Sequence, residues 1–184
     1  MTRETPSRWL VENADLLPRC EAGRSAPRAL DVASGRGRNA LWLAAAGYET
    51  EAVDRDVEAL THLRRLAGGT VATRTEDLER PDVSLGEARY DLIVVCRYLH
   101  RPLFAAIRKA LRPGGVLVYE TFTAAQAARG RPTNPAFLLK AGELPALVAP
   151  LRVLRQHEGK VDDVMLAGVV ARNDEGTGSL LRAS

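Results

Sequence analysis

The chain has 184 residues, of which 46% are hydrophobic and 27% charged, and its formal net charge is +3. This length is typical of one globular domain, and the composition excludes a chain that is disordered throughout. No apolar run approaches the roughly 20 residues of a membrane span, and the first 19 residues lack the apolar segment of a secretory signal. The two cysteines, Cys20 and Cys96, are too few for a disulfide scaffold. We therefore expect a reduced, cytoplasmic protein without a metal site.

Strand and helix patterns alternate along the chain, after an amphipathic helix over 7–17 with Ser7 as its N-cap. Short apolar or alternating runs predict strands at 28–33, 48–54, 70–75, 90–99 and 115–122. Helical periodicity predicts helices at 38–46 and 56–67, a helix and turn over 102–115, and a short helix within 138–150. The last two strands, 151–159 and 161–172, are joined tightly at Gly159–Lys160, which predicts a hairpin.

This alternation predicts a single α/β domain with a mainly parallel sheet, finished by an antiparallel hairpin. We expect residues 1–28 to form an N-terminal helix and cap, 29–172 the main domain, and 173–184 a flexible tail. The longest irregular stretch is 123–135, and loops of that length are often lids. It and the N-terminal helix with Trp9 are both placed to cover a crevice at the end of the sheet.

The most informative motif is LDVASGRGRNALWLA, residues 30–44, where a strand runs through a glycine-rich turn into a helix. Gly35 and Gly37 carry no Cβ, so the backbone can turn sharply there and approach a ligand. The helix that follows directs its first N–H groups toward the same place. Asp31 ends the strand, where a carboxylate can face a cationic ligand group or accept N–H bonds from the loop. The motif therefore predicts a cofactor site.

Two acidic residues follow the next strands. Asp54 lies 19 residues after Gly35, a position typical of the acid that holds ribose hydroxyls. Asp77 follows the third strand, where a carboxylate can accept from an adenine amino group. Residues 35–40 also fit the dinucleotide fingerprint, whereas 31–37 fit an S-adenosylmethionine motif. We favour S-adenosylmethionine, because a dinucleotide would set its anionic pyrophosphate against Asp31; an NAD-binding protein remains the alternative.

With these motifs in place, residues 29–172 resemble the class I S-adenosylmethionine-dependent methyltransferases, and within them the small bacterial tellurite-resistance-like branch. LRPGGVLVYETF at 111–122 resembles the family's helix–turn–fifth-strand segment, and YDLIVVCRYLH at 90–100 its fourth strand. The resemblance implies a Rossmann-like fold with a seven-stranded sheet and helices on both faces. It implies S-adenosylmethionine as cofactor, held by Asp31, Ser34, Gly35, Gly37, Asn39, Asp54, Arg55, Asp77, Leu78 and Cys96. Ala33 stands where the family usually has glycine, and we expect it to keep an ordinary β conformation.

Polar and aromatic residues follow the fourth and fifth strands, where an open parallel sheet places its ligand crevice. The candidate catalytic residues are His100, Arg97 and Tyr119. Histidine is the side-chain type that exchanges protons near neutral pH, so His100 is the candidate base. The candidate acceptor contacts are Arg97, Tyr98, Arg101 and Glu120. The structural alternatives are a His100 bonded to the backbone and ion pairs between the arginines and Glu120 or a loop acid.

Three functions fit these residues. The favoured one is methyl transfer to a small acceptor, anionic or soft. The second is a binding module that keeps the fold without turnover. The third is RNA methylation, which is suggested by one basic stretch that we expect to have no nearby acid: Arg97, Arg101, Arg108, Lys109 and Arg112. Nucleic acid is the less favoured partner, because basic residues elsewhere alternate with acids. His62 and His157 are expected to have no partners.

Overall fold

The computed structural model describes residues 5–19, 23 and 25–174. The strands in these ranges are β1 (Arg28–Val32), β2 (Glu49–Asp54), β3 (Val71–Thr75), β4 (Tyr90–Cys96), β5 (Leu111–Phe122), β6 (Arg152–Val161) and β7 (Val164–Arg172). The α-helices are α1 (Arg8–Glu12), α2 (Arg38–Ala45), α3 (Val57–Ala67), α4 (Leu103–Ala110) and α5 (Glu143–Val148). Short 3₁₀ helices occupy Ala14–Leu16, Ala124–Ala128 and Pro135–Phe137.

The strands form one sheet in the order β3-β2-β1-β4-β5-β7-β6. Neighbours from β3 to β5 are parallel, and β7 is antiparallel to both β5 and β6. Long connections, through helices at α2, α3 and α4 and through the irregular segment 76–89, let strands β1 to β5 run parallel, whereas the short turn between β6 and β7 forces the reversal. The predicted Rossmann-like sheet with a terminal hairpin is confirmed. Its C-terminal edge gathers the ends of β1, β2, β3, β4 and β5.

The hydrophobic core has two parts, one on each face of the sheet, and alternate side chains of β4 belong to each part. Ile93 and Val95 belong to a cluster that includes Leu103 of α4 and Leu144 of α5. Leu92 and Val94, alternating with them, belong to a second cluster with α1 and α2. A strand buried on both faces reads as a continuous apolar run, which is why the sequence 90–96 predicts a central strand.

The structure corrects several predicted boundaries. The fourth strand ends at Cys96 rather than at residue 99, and the fifth begins at Leu111 rather than at 115. The helix expected over 7–17 is the five-residue α1 followed by a 3₁₀ turn, and the Ser7 side chain does not cap it. The hairpin turns at residues 162–163 rather than at Gly159–Lys160, because β6 continues to Val161 opposite Val164. Asn173, expected in the tail, is 7% exposed and donates from Nδ2 to the Leu111 and Arg112 carbonyls at 3.3 Å. Residues 175–184 and Cys20 lie outside the described residues.

Residues 5–19 close one side of the domain. Leu10 is fully buried in the cluster that holds Leu43 of α2 and Val118 of β5. Asn13 is also buried, and its Nδ2 donates to the Trp9 carbonyl at 2.7 Å. The N-terminal helix therefore packs as part of the domain and brings Ser7 and Trp9 to the edge where the strands end. None of the helices in the described ranges combines the length and apolar character of a membrane span.

Candidate active site

Three neighbouring clefts open along the C-terminal edge of the sheet. The β2–β3 cleft, about 240 Å³, lies beyond the ends of β2 and β3. The glycine-loop cleft, about 480 Å³, lies over the turn that follows β1. The α1 cleft, about 450 Å³, lies between α1 and the β5, β6 and β7 strands. Arg97 lines all three clefts, so they adjoin one another at this edge of the sheet, and we refer to the three together as the trough.

The glycine-rich turn is held by Asp54 of β2. The Gly35 N–H donates to Asp54 Oδ2 at 2.7 Å, and the Ser34 N–H donates to the Val53 carbonyl at 3.1 Å. Gly37 has φ of 78°, and a Cβ there would lie 2.4 Å from the Leu63 side chain. Glycine is therefore required at 37 both by the backbone conformation and by the packing of α3.

Ala33 begins this turn in the left-handed conformation, with φ of 52°. We expected an ordinary β conformation here, and that expectation is wrong. The left-handed region costs a residue with a Cβ about 1–2 kcal/mol, which explains why glycine is usual at this position. Arg97 at the end of neighbouring β4 also has positive φ, 58°. Such strain in non-glycine residues tends to occur at ligand-binding sites.

Asp31 and Asn39 are both buried under the turn. Asp31 is 1% exposed, and its Oδ2 accepts the Ala40 N–H at 3.0 Å. Burial raises the pKa of Asp31 to about 7, because few polar groups replace the water around its carboxylate. Asn39 is 4% exposed, and its Oδ1 accepts the Ser7 N–H at 2.8 Å. Asn39 thus joins the N-terminal segment to α2.

The β2–β3 cleft holds the residues expected at a nucleoside. Asp54, Arg55, Asp77 and Leu78 all line it. Asp54 Oδ1 accepts the Asp56 N–H at 2.9 Å, and Asp77 Oδ1 accepts the Glu79 N–H at 3.1 Å. Leu78 is 4% exposed and provides an apolar floor. The parallel strands thus bring to one cleft the residues at 54–55 and 77–78.

Two buried hydroxyls in the trough have no hydrogen-bond partner among the described residues. They are Ser34 Oγ, which lines the glycine-loop cleft, and Tyr98 OH, which lines the β2–β3 cleft. Tyr98 was expected at the acceptor, but the structure places it beside Asp54 and Asp77, and burial raises its pKa to about 12. Native proteins rarely leave buried polar atoms unpaired, so these hydroxyls suit a ligand with polar groups.

Cys96 lies between the two sides of the trough. It ends β4, lines the glycine-loop cleft and packs against the cluster that holds Leu10. Burial raises the pKa of its thiol to about 12, so the side chain is a neutral small group in the wall of the site. The site fits S-adenosylmethionine, which carries a nucleoside and a cationic amino-acid end. Asp54 and Asp77 supply acceptors for the nucleoside, and the unpaired hydroxyls of Ser34 and Tyr98 are available to further polar groups.

The candidate catalytic residues are separated by the structure. Arg97 is exposed in the trough, and its N–H donates to the Glu120 carbonyl at 2.7 Å. Tyr119 is instead 1% exposed in the core, stacked on Phe104, with its hydroxyl donating to the Tyr98 carbonyl at 2.8 Å. A catalytic role for Tyr119 is therefore wrong, because the group has no access to the trough. His100 lines none of the three clefts.

Arg101 is bound to structural partners away from the trough. Its Nε and Nη2 donate to the two Glu143 carboxylate oxygens at 2.7 and 2.9 Å, and its Nη1 and Nη2 donate to the Ala136 and Leu138 carbonyls at 3.1 and 3.0 Å. A role in acceptor binding is therefore wrong for Arg101. Other cations of its stretch are also paired: Lys109 with Glu87, and Arg112 with Asp91. The expectation that this basic stretch has no nearby acid is therefore wrong. The stretch no longer supports an RNA-binding surface.

Glu120 and His157 form a contact that the sequence does not predict. Glu120 Oε1 lies 3.1 Å from His157 Nε2, and Glu120 Oε2 accepts from Ser7 Oγ at 3.3 Å. The Trp9 and His157 ring centroids are 4.4 Å apart. All four residues line the α1 cleft. The expected ion pair between Glu120 and Arg97 is absent from the described residues, and His157 does have partners.

The 123–135 segment does not line any of these clefts. Gln126 is 3% exposed, its Oε1 accepts the Met165 N–H at 2.8 Å, and its Nε2 donates to the Arg131 carbonyl at 3.1 Å. These bonds fasten the segment against β7. It is α1, with Trp9, that covers the α1 cleft. No group of three or more metal-ligating side chains is placed to hold an ion in the described ranges.

The comparisons with known proteins agree with this geometry. Residues 29–115 match a protein family described as a methyltransferase domain. TehB from Haemophilus influenzae superimposes with a TM-score of 0.72 at 19% identity, over 89% of this chain and 61% of that chain. An S-adenosylmethionine-dependent methyltransferase from Mesorhizobium loti superimposes with a TM-score of 0.71 at 17% identity, over 88% of this chain and 96% of that chain. A TehB-like S-adenosylmethionine-dependent methyltransferase from Corynebacterium glutamicum superimposes with a TM-score of 0.66 at 18% identity, over 90% of this chain and 86% of that chain.

The chain therefore spans 61% of the length of the Haemophilus protein but nearly all of the Mesorhizobium one. No curated protein is significantly similar to it in sequence. The matched residues and the sheet with its reversed seventh strand lead to one conclusion: the chain carries a methyltransferase domain over residues 29–115, within the fold that S-adenosylmethionine-dependent methyltransferases adopt.

Proposed function

We propose that this protein is a class I S-adenosylmethionine-dependent methyltransferase and that it methylates a small-molecule acceptor bound in the α1 cleft. The observation that carries the proposal is that α1 closes this cleft on one side, while Arg97 connects it to the two cofactor-side clefts. Its volume of about 450 Å³ is within the range of pockets for small ligands, roughly 300–1,000 Å³. The ties from Ser7 to Asn39 and Glu120 hold the wall in place, which disfavours a polymer.

The cofactor belongs in the other two clefts. We assign Asp54 to the ribose hydroxyls, Asp77 and Leu78 to the adenine, and the turn at Ser34 and Gly35, above buried Asp31, to the amino-acid end. When bound, S-adenosylmethionine supplies an electrophilic methyl group on a sulfonium centre. The chain's own contribution is to hold donor and acceptor in line and to exclude water between them.

A methyl-transfer assay tests the proposal. Formation of S-adenosylhomocysteine is measured with a panel of low-mass thiols, phenols, carboxylates, selenite and tellurite, and separately with RNA and with protein. Turnover is expected only with low-mass acceptors. Methylated RNA or protein without a low-mass product would contradict it, and cofactor binding with no turnover on any acceptor would favour the binding-module alternative. Tellurite in the panel tests the finer assignment to the tellurite-resistance-like branch; cytoplasmic location remains a prediction.

A pair of variants locates the acceptor. Val164 lines the α1 cleft, so Val164→Trp should fill it and raise the acceptor KM at least tenfold, while cofactor affinity stays within threefold. Leu66 is 47% exposed near the end of α3, and Leu66→Trp is the matched control that should change neither quantity. If Val164→Trp weakens cofactor binding and leaves the acceptor KM unchanged, the assignment of the clefts is reversed.

A further inference from the structure

Gly168 of β7 lies between Glu120 and His157 in the sheet. It is the register partner of Glu120 on β5 and of His157 on β6. Neighbouring strands are about 4.8 Å apart, so the backbones of the outer two are separated by roughly 10 Å. A Cβ at Gly168 would lie 2.6 Å from His157 Nε2 and 2.9 Å from Trp9 Cε2. Because Gly168 has no side chain, the Glu120 carboxylate and the His157 imidazole can meet above its backbone.

The pair is oriented from several sides. Glu120 is held by Ser7, and the His157 ring is tilted 53° against Trp9, whose Nε1 donates to the Val169 carbonyl at 3.4 Å. The Glu120 side chain is 9% exposed and the His157 side chain 22%, so the carboxylate is covered and the imidazole reaches the α1 cleft. With Nε2 facing Glu120, a hydrogen on Nε2 leaves the lone pair on Nδ1, which has no hydrogen-bond partner among the described residues.

We propose that His157 is the general base of the methyl transfer, that Glu120 positions it, and that the acceptor is an anionic small molecule with a hydroxyl or thiol nucleophile. The proposal rests on the function proposed above. The bond from the acceptor's oxygen or sulfur to the methyl carbon forms while the carbon–sulfur bond of the donor breaks, and that electron pair stays on the donor sulfur. The acceptor's proton passes to His157 Nδ1, and the resulting imidazolium faces the Glu120 carboxylate.

The anionic character of the acceptor follows from two cations in the α1 cleft. Arg38 and Arg97 line it and form no ion pair within the described residues, whereas Arg8 is paired with Glu12 at 2.6 Å. A guanidinium without a carboxylate partner can hold an acceptor's anionic group through two parallel hydrogen bonds. Other charged groups line the cleft on α1 and on the β6–β7 hairpin: Arg8, Glu12, Glu158, Lys160 and Asp162.

The test compares acceptors that must lose a proton with one that need not. The probes are 3-mercaptopropionate and 4-hydroxybenzoate, with selenite as the proton-independent acceptor. His157→Gln should lower kcat on the protic probes about 100-fold, as loss of a general base does, with cofactor affinity within threefold. Activity on selenite should fall at least tenfold less than activity on the protic probes. His62→Gln, on the exposed face of α3, is the matched control and should resemble the wild type. Exogenous imidazole should restore activity to His157→Ala.

Glu120→Gln tests the positioning role. Without the carboxylate the ring is no longer held in place, so kcat on the protic probes should fall about tenfold while the acceptor KM changes less than threefold, and Glu120→Asp should recover part of the lost kcat. Unchanged kcat in His157→Gln, unchanged kcat in Glu120→Gln, or failure of imidazole to rescue His157→Ala would each overturn the proposal. If no probe is methylated, ¹⁵N NMR of His157 still decides the dyad: hydrogen on Nε2 supports it, and hydrogen on Nδ1 overturns it, independently of the acceptor.

Discussion

The carboxylate of Asp54 binds the backbone of Gly35 at 2.7 Å, and its second oxygen binds the Asp56 N–H at 2.9 Å. One side chain at the end of β2 therefore orders both the glycine-rich turn and the start of α3. The residue assigned to the cofactor's ribose also organises the loop beneath it, so its two roles must be separated by experiment.

We expect Asp54→Ala to lower S-adenosylhomocysteine affinity at least tenfold, since charge-assisted hydrogen bonds contribute about 1.5–3 kcal/mol each. It should also lower the free energy of unfolding by about 1–3 kcal/mol, because two backbone N–H groups lose their acceptor. Calorimetry and urea unfolding measure the two effects. Asp77→Ala, which removes only one bond at an exposed N–H, should lower affinity with little loss of stability. Undiminished affinity in Asp54→Ala would show that the ribose lies elsewhere.

Gly168→Ala should separate Glu120 from His157 without unfolding the sheet. The new methyl group would lie within 3 Å of the imidazole and of Trp9, so both rings must move. We expect kcat to fall at least tenfold on protic acceptors. In a His157→Gln background, Gly168→Ala should lower kcat less than threefold, because the imidazole that it would displace is already absent. Equal losses in both backgrounds would mean that Gly168 acts only on Trp9 or on the strand.

Ala33→Gly should stabilise the protein. The left-handed backbone at Ala33 costs about 1–2 kcal/mol, and the added freedom of glycine in the unfolded chain costs about 0.5–1 kcal/mol. The free energy of unfolding should therefore rise by about 0.5–1 kcal/mol, as measured in urea. Ala29→Gly, in the fully buried part of β1, is the control and should destabilise. A loss of stability in Ala33→Gly equal to that of the control would contradict the left-handed conformation.

Asp31 should make stability depend on pH in the absence of cofactor. Burial raises its pKa from 3.8 to about 7, so the folded chain holds this proton more tightly than the unfolded chain. The stability of the wild type relative to Asp31→Asn should be greatest below pH 3.8 and fall by about 4 kcal/mol as the pH rises to about 7. Urea unfolding across that range measures it.

The Arg101–Glu143 pair should show the opposite dependence. A hydrogen bond from Arg101 holds the pKa of Glu143 below its ordinary value of 4.5. The stability gained is fully present above pH 4.5 and is lost as the pH falls through the lower pKa of the folded state. Glu143→Gln should therefore destabilise at pH 7 and lose that effect in acid. Arg101→Ala should leave the acceptor KM unchanged; a large rise would return Arg101 to the acceptor site.

The regular part of the fold follows from local patterns in the sequence. The βα alternation and the terminal hairpin predict the sheet, and the parallel strands bring Asp54 and Asp77 to one edge because each follows its own strand. Ala33 departs from expectation because the left-handed conformation is imposed by the turn around it. The acidic partner of Arg101 lies 42 residues further along the chain, at a distance that no periodicity encodes.

The acceptor side was harder to predict for the same reason. Glu120 and His157 are 37 residues apart, and Ser7 is 113 residues from Glu120. Their meeting depends on strand register and on a glycine whose role is to be small. The sequence around His157 does not indicate which side chain, two strands away in the sheet, will be its neighbour. A glycine in the interior of a predicted strand, at 168, was the available signal, since such a residue often marks a close approach.

Arg97 lines every cleft of the trough, and this has a consequence for how the two substrates bind. We expect the ligand that binds first to order the Arg97 side chain, so that the second ligand binds an arginine whose conformational entropy is already lost. The affinities of donor and acceptor are then coupled, and each raises the other by the same factor. A shared arginine thus favours the complete ternary complex over either half-filled enzyme, which limits futile exposure of the donor to water.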